Sequence, residues 1–154
     1  MNARAIVLTA LLGLFGTSAC LAADASIGSW KLNEAKSTVT AGAPKNNTVV
    51  IAAAGDQLKI TVDGVGGDGK PLHSEWTGKY DGKDYPVTGD PSTDARAYKS
   101  ADGHTFELTN KKSGKATTTG KVVISADGKT RTVTVNGTSP DGKKVSINAV
   151  YDKQ

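Results

Sequence analysis

The sequence predicts an all-β fold, an antiparallel up-and-down meander of about nine strands closing into a barrel or half-open barrel. Three observations predict it. The tripeptide Asp-Gly-Lys returns at Asp68-Gly69-Lys70, Asp81-Gly82-Lys83, Asp127-Gly128-Lys129 and Asp141-Gly142-Lys143, with Asp102-Gly103-His104 as a near copy. In each, the Asp side chain accepts a hydrogen bond from the backbone two residues on and the Gly takes a positive φ, which is the chemistry of a hairpin turn. Between the turns the apolar residues recur with period two, and no stretch there carries a good helical period. A meander of this length that stayed open would expose two edges, so closure is the safer design.

The folded domain follows an export segment. Residues 1–23 hold one basic residue, Arg4, then an apolar stretch from Ala5 to Phe15 and small residues as far as Ala23. This is the layout of a secretory signal peptide, too short to remain as a membrane-spanning helix. Cleavage after Ala22 or Ala23 leaves one domain over 24–154, periplasmic or secreted. Ser18-Ala19-Cys20 gives a second route: it resembles a lipobox whose Cys20 would be lipidated and would anchor the protein, with Thr17 where that motif usually has Leu.

Cys20 is the one cysteine, so the domain has no disulfide even in an oxidising compartment. Stability has to come from burial and strand pairing. About 131 residues suffice for one domain that buries roughly two thirds of its unfolded surface. With aromatic residues at 5% and 18 glycines, the composition suits a thin-walled β structure. The formal charge of +4 is scattered over turns and alternate strand positions, with no basic run to track a phosphate backbone, which argues against nucleic-acid binding.

In chain order, a strand over 26–32 opens the domain, and 33–37 is the one place for a short helical turn. Ala43-Pro44-Lys45-Asn46-Asn47 reads as a polar break. Strands 48–54 and 58–63 form a hairpin around Gly55-Asp56, with Leu58, Ile60 and Val62 on one face. The next strand, 72–80, puts Leu72, Ser74, Trp76, Gly78 and Tyr80 together and turns His73, Glu75, Thr77 and Lys79 away. The segment 81–94 reads as the longest interruption, because Pro86 and Pro91 exclude it from an internal strand. Strands over 95–100, 105–111, 115–125, 130–137 and 144–151 complete the meander. In the last of these, Val145, Ile147, Ala149 and Tyr151 alternate with Ser146, Asn148 and Val150.

Few motifs carry chemistry. Gly64-Val65-Gly66-Gly67-Asp68-Gly69 satisfies a dinucleotide pattern and nearly a P-loop, but both need a helix next, and Pro71-Leu72-His73-Ser74-Glu75-Trp76 is a strand. It reads as a glycine-rich hairpin loop. His73 shares a face with Glu75 but has no neighbour at metal-ligand spacing, nor has His104, so a solvated surface is the simpler reading. The domain shows no nucleophile elbow, and most of its Asp residues sit in turns. No enzyme, metal or cofactor is indicated. Arg96-Ala97-Tyr98 places a guanidinium and a phenol on one strand face, about 7 Å apart, from which both would reach one carboxylate. Taken alone, the pair reads more simply as an edge strand with Arg96 outside and Tyr98 flat on the surface.

Gly28-Ser29-Trp30 resembles the Gly-x-Trp that opens lipocalins, where the Trp plugs the closed end of the barrel. Together with Trp30-Lys31-Leu32-Asn33, the run from Tyr80 through Asp84-Tyr85-Pro86-Val87 to Gly89, and the closing Val150-Tyr151-Asp152-Lys153-Gln154, the chain is similar to small exported bacterial lipocalin-like proteins of unassigned function. The likeness spans nearly all of 24–154. The chain is shorter than true lipocalins, lacks their C-terminal helix, and only approximates their second motif at Lys83-Asp84-Tyr85. The resemblance implies a calycin-type barrel, and it implies Arg131 over Trp30 as a cation–π contact; otherwise Arg131 is an exposed residue at a hairpin start. Arg96-x-Tyr98 also resembles the Arg-x-Tyr pair inside fatty-acid-binding proteins, which lies on their last strand.

The expected function is therefore non-catalytic binding of a small, largely apolar, lipid-like or fatty-acid-like ligand in the barrel. Trp76, Tyr80, Tyr98 and Phe106 would be its wall and Arg96 its polar anchor, though Trp76, Tyr80, Phe106 and Ile147 serve equally as plain core. The alternative is an envelope protein that binds a macromolecular partner through its outer surface or the 81–94 loop.

Overall fold

The computed structural model describes residues 24–154; the expected signal peptide and Cys20 lie outside them. The period-two pattern is realised as eleven strands: β1 Gly28–Leu32, β2 Thr38–Val39, β3 Lys45–Ala54, β4 Gln57–Val65, β5 Pro71–Gly78, β6 Asp81–Thr88, β7 Ala95–Ser100, β8 Thr105–Lys112, β9 Lys115–Ile124, β10 Thr130–Thr138 and β11 Lys144–Lys153. From β3 onward each strand pairs antiparallel with the next, and β1 closes the ring between β3 and β11. The result is a ten-stranded up-and-down barrel. The short β2 adds to β11 at Ile147 and Asn148, after a 3-10 turn at Glu34–Lys36 that Asn33 caps by accepting from the Lys36 amide.

Two segments expected to interrupt the meander are strand instead, one lengthening β3 and the other forming β6, which with the short β2 accounts for the higher count. Lys45-Asn46-Asn47 belongs to β3, where a bulge between Asn46 and Thr48 absorbs the polar break. The first half of 81–94 is β6, prolines notwithstanding. The Val87 amide donates to the Asp94 carbonyl at 2.9 Å, on the β7 side. Alternation then turns the Pro86 nitrogen toward β5, and the β5 ladder is only Glu75 with Thr88 and Trp76 with Val87, so it ends before Pro86. No ladder bond is lost to the ring, and the rule against proline in an internal strand does not bite. In place of the missing ladder, the Tyr85 ring lies over Gly78, where any Cβ would stand 2.5 Å from it.

Four of the five acidic-glycine repeats are turns, with Gly69, Gly103, Gly128 and Gly142 at φ between 69° and 84°. Asp81-Gly82-Lys83 is not. It is a bulge inside β6, since Asp81 faces Lys99 and Asp84 faces Ala97, with Gly82 at φ 81°. The same local chemistry serves both uses: the Asp81 carboxylate accepts from the Lys83 amide at 3.0 Å. A Cβ on Gly82 would meet only the Lys99 side chain, at 3.6 Å, so its cost is conformational. Gly82→Ala is expected to lower stability by about 1–2 kcal/mol in urea unfolding. A neutral substitution would mean that β6 lacks this bulge.

The two ends of the barrel differ. At one end lie the turns 55–56, 79–80, 101–104 and 125–129, and residues 24–27 fold across it. There the Trp30 indole N–H donates to the Ser26 carbonyl at 2.9 Å, and the Ser26 and Tyr80 hydroxyls are 3.0 Å apart. Trp30 is wholly buried there. At the opposite end the connections 40–44, 66–70, 89–94, 113–114 and 139–143 surround a mouth. The glycine-rich segment is one of these loops and leads into β5 rather than a helix.

Candidate functional site: the barrel interior

Strand phase decides which side chains point inward, and their size decides whether they meet. Toward the closed end they are large. Trp76 packs edge-on against Tyr98 and Tyr85, with ring centroids 5.0 Å and 5.7 Å away, and Tyr80 lies 4.6 Å from Phe106. Toward the mouth the inward positions of β10 and β11 are the aliphatic Val133, Val135, Val145, Ile147 and Ala149. They leave a cavity of about 110 Å³. Above it the loops form a vestibule of about 340 Å³, and Pro44, Asp90, Ser92, Ser139 and Pro140 border both spaces.

The sequence-predicted site residues divide accordingly. Arg96 and Tyr98 both line the cavity. The edge-strand reading of this pair is corrected, because β7 is paired on both sides, to β6 and β8, and Tyr98 is only 4% exposed. Trp76, Tyr80 and Phe106 lie in the aromatic cluster beneath and do not line the cavity, whereas Ile147 does. Tyr98 is the boundary between the two. Arg131 is neither over Trp30 nor exposed. Its guanidinium lies 5.2 Å from the centre of the Tyr151 ring, and the cation over Trp30 is Lys153, at 5.1 Å. The closing ladder explains the exchange, since it pairs Trp30 with Lys153 while Arg131 pairs with Tyr151.

The polar groups of the interior form two unlike sets. Near the mouth, the Arg96 Nε donates to Asn110 Oδ1 at 2.5 Å, and Asn110 donates on to the Thr118 hydroxyl at 2.9 Å. The same guanidinium is 4.0 Å from Asp90, and both side chains are about nine-tenths buried. The other Asp90 oxygen accepts from the Ser92 amide and hydroxyl at 2.8 and 2.7 Å. This set is internally balanced. Near the closed end, Arg131 is only 5% exposed and its Nε has no hydrogen-bond partner among the described residues. Burial pushes the Tyr151 hydroxyl above the ordinary phenol range, against the pull of Arg131, and pushes Tyr80 up as well, against its hydrogen bond with Ser26. Both phenols stay protonated at neutral pH and are no general bases.

Outside the barrel, His73 bonds Asp63 at 2.6 Å on an exposed face, with Glu75 4.0 Å from its other nitrogen. Among the described residues no cluster of three metal-ligating side chains forms, and no helix is long and apolar enough to cross a membrane.

Asp90, Asn110, Thr118 and Tyr151 also line the interior, and none of them stands out as a site residue in the sequence. Tyr151 and Arg131 carried a signal, since each alternates in phase with inward aliphatic neighbours. Asp90 carried none.

No protein-family model matches the chain, and no curated protein matches it. Among solved structures, the chain is similar to one described as a redesigned beta barrel, mFAP1, bound to DFHBI. The two are 14% identical, with 84% of this chain and 95% of that one covered and a TM-score of 0.46. The barrel assignment rests on this chain's own closed set of ladders.

Proposed function

We propose that this protein is an exported, lipocalin-like, non-catalytic carrier that holds a small, largely apolar molecule inside its barrel. One observation carries the reading: an interior cavity, lined by aliphatic side chains of β10 and β11 and by a few polar ones, shares five bordering residues with a loop-lined vestibule at the mouth. A core selected only for stability fills such space, because voids forfeit dispersion contacts. The export half of the reading rests on the layout of residues 1–23.

Volume narrows the ligand. Pockets for drug-sized ligands run from roughly 300 Å³ upward, and an apolar cavity of about 150 Å³ is known to take benzene. At about 110 Å³ the deep chamber suits a compact ring or a short chain, with any larger part of the molecule left in the vestibule. A whole long-chain fatty acid does not fit in the deep chamber.

Native mass spectrometry of the exported protein is expected to show a co-purifying small molecule. Titration with short-chain and aromatic compounds should shift the methyl signals of Val133, Val135 and Val145 in NMR spectra and leave Val50 and Val123, on the outer face, unmoved. A ligand at a hundred times its Kd should add about 2.7 kcal/mol to stability. If no interior methyl moves across the panel, the barrel is no carrier, and the macromolecular alternative through the outer surface or the 81–94 segment, of which 81–88 is β6, takes its place.

A further inference from the structure

The two interior arginines differ in one respect. Arg96 has its charge answered by Asp90 and its Nε taken by Asn110. Arg131 is buried, forms no ion pair among the described residues, and leaves its Nε without a partner. A guanidinium keeps its proton in any protein environment, so burial does not relieve it by neutralisation. Isolated buried charge is among the most costly features a core can hold, and the Tyr151 face offsets only part of that cost. Arg131 also lines the cavity. A group placed there is within reach of the one interior charge that the chain itself does not balance.

We infer that the barrel ligand is a small carboxylate, and that Arg131 is the residue that receives its acid group. The inference rests on the carrier reading above. A carboxylate matches the guanidinium fork and accepts two parallel N–H bonds from it. Tyr151 keeps its hydroxyl proton, which makes it a donor rather than a rival anion. Charge decides between classes of anion. One unbalanced cation is neutralised by a monoanion such as a carboxylate, whereas a phosphate or sulfate dianion would leave a net negative charge in a buried chamber. Arg131 is the second residue of β10, next to the closed-end turn, so the ligand enters acid first and its apolar part lies against Val133 and Val135 toward the mouth. The anchor of the ligand is then Arg131 and not Arg96.

The test compares matched pairs, hexanoate with hexanol and benzoate with benzyl alcohol, on the mature protein at neutral pH by calorimetry and by NMR of the arginine Nε–Hε signals. The expected result is that each carboxylate binds about tenfold or more tightly than its alcohol and moves the Arg131 Nε–Hε signal. In Arg131→Met the carboxylate and alcohol affinities should converge while the interior methyl shifts persist. Equal affinity for acid and alcohol in the wild type would overturn the inference and leave the carrier reading standing. If neither acids nor alcohols move any interior methyl, the carrier reading fails and takes this one with it. Should Arg131→Met not fold, the wild-type preference and the Nε–Hε shift decide alone.

Discussion

Trp76→Ala is expected to lower the stability of the barrel by about 3–5 kcal/mol, the range for removing a fully buried large aromatic side chain. Trp76 is 1% exposed, its indole N–H donates to the Arg96 carbonyl at 3.0 Å, and its ring packs against three tyrosines. Truncation would open a void where β5 and β6 are held by two residue pairs only, a place with little backbone pairing to keep the wall together. Domains of this kind have about 5–15 kcal/mol in all, and this one draws nothing from disulfides. The melting temperature should fall by roughly 10–20 °C. Trp76→Phe keeps most of the packing and loses the indole hydrogen bond to the Arg96 carbonyl, so it should cost about 1–2 kcal/mol. The measurement separates core from cavity wall. A side chain that lines a ligand chamber already lacks neighbours on one face, so a loss from Trp76→Ala below about 1 kcal/mol would return Trp76 to the pocket.

The barrel was legible in the chain because its two determinants are local. Period-two alternation assigns a face to each residue within a strand, and the acidic-glycine bends join the strands. Both read correctly for Leu58, Ile60 and Val62, and for the alternation at Val145, Ile147, Ala149 and Tyr151. What failed depended on neighbours distant in sequence. Pro86 argues against a strand because an internal strand is paired on both sides, and nothing local reveals that the β5 ladder stops beside it. Asp81-Gly82-Lys83 has the same turn chemistry as its four copies, and only its register with Lys99 and Ala97 makes it a bulge.

The site was less legible for a related reason. Phase tells which residues face inward but not how far along the barrel they sit or what stands opposite. Trp76 and Val133 both face in, yet one fills the closed end and the other lines a cavity, because the former meets other rings and the latter meets short aliphatic side chains. Arg131 shares its phase with Val133 and Val135, but a cation just after a turn fits the exterior as well. The choice was made by the β10–β11 ladder, which sets Tyr151 beside it. Asp90 sits in a loop, where no period applies, and its approach to Arg96 follows from the six-residue connection between β6 and β7.

Arg96→Met is expected to cost about 3–5 kcal/mol, as breaking one side of a buried ion pair does. The loss comes less from the attraction given up than from what remains behind. One Asp90 oxygen is already engaged by Ser92, and the other faces the guanidinium at 4.0 Å. Without Arg96 that carboxylate stays nine-tenths buried with no cation, and Asn110 loses its donor. Asp90→Asn should cost less, because the long Arg96 side chain sits next to the mouth and has room to carry its charge toward solvent. The double variant Arg96→Met with Asp90→Asn removes both charges and should recover a large part of the Arg96→Met loss. A double-mutant cycle in urea is therefore expected to give a coupling of about 1–3 kcal/mol, where independent sites add to within about 0.5 kcal/mol. Strict additivity would show that the Arg96 charge is not held by Asp90. Arg96 would then be a second free cation in the chamber, and the argument that singles out Arg131 would lose its contrast.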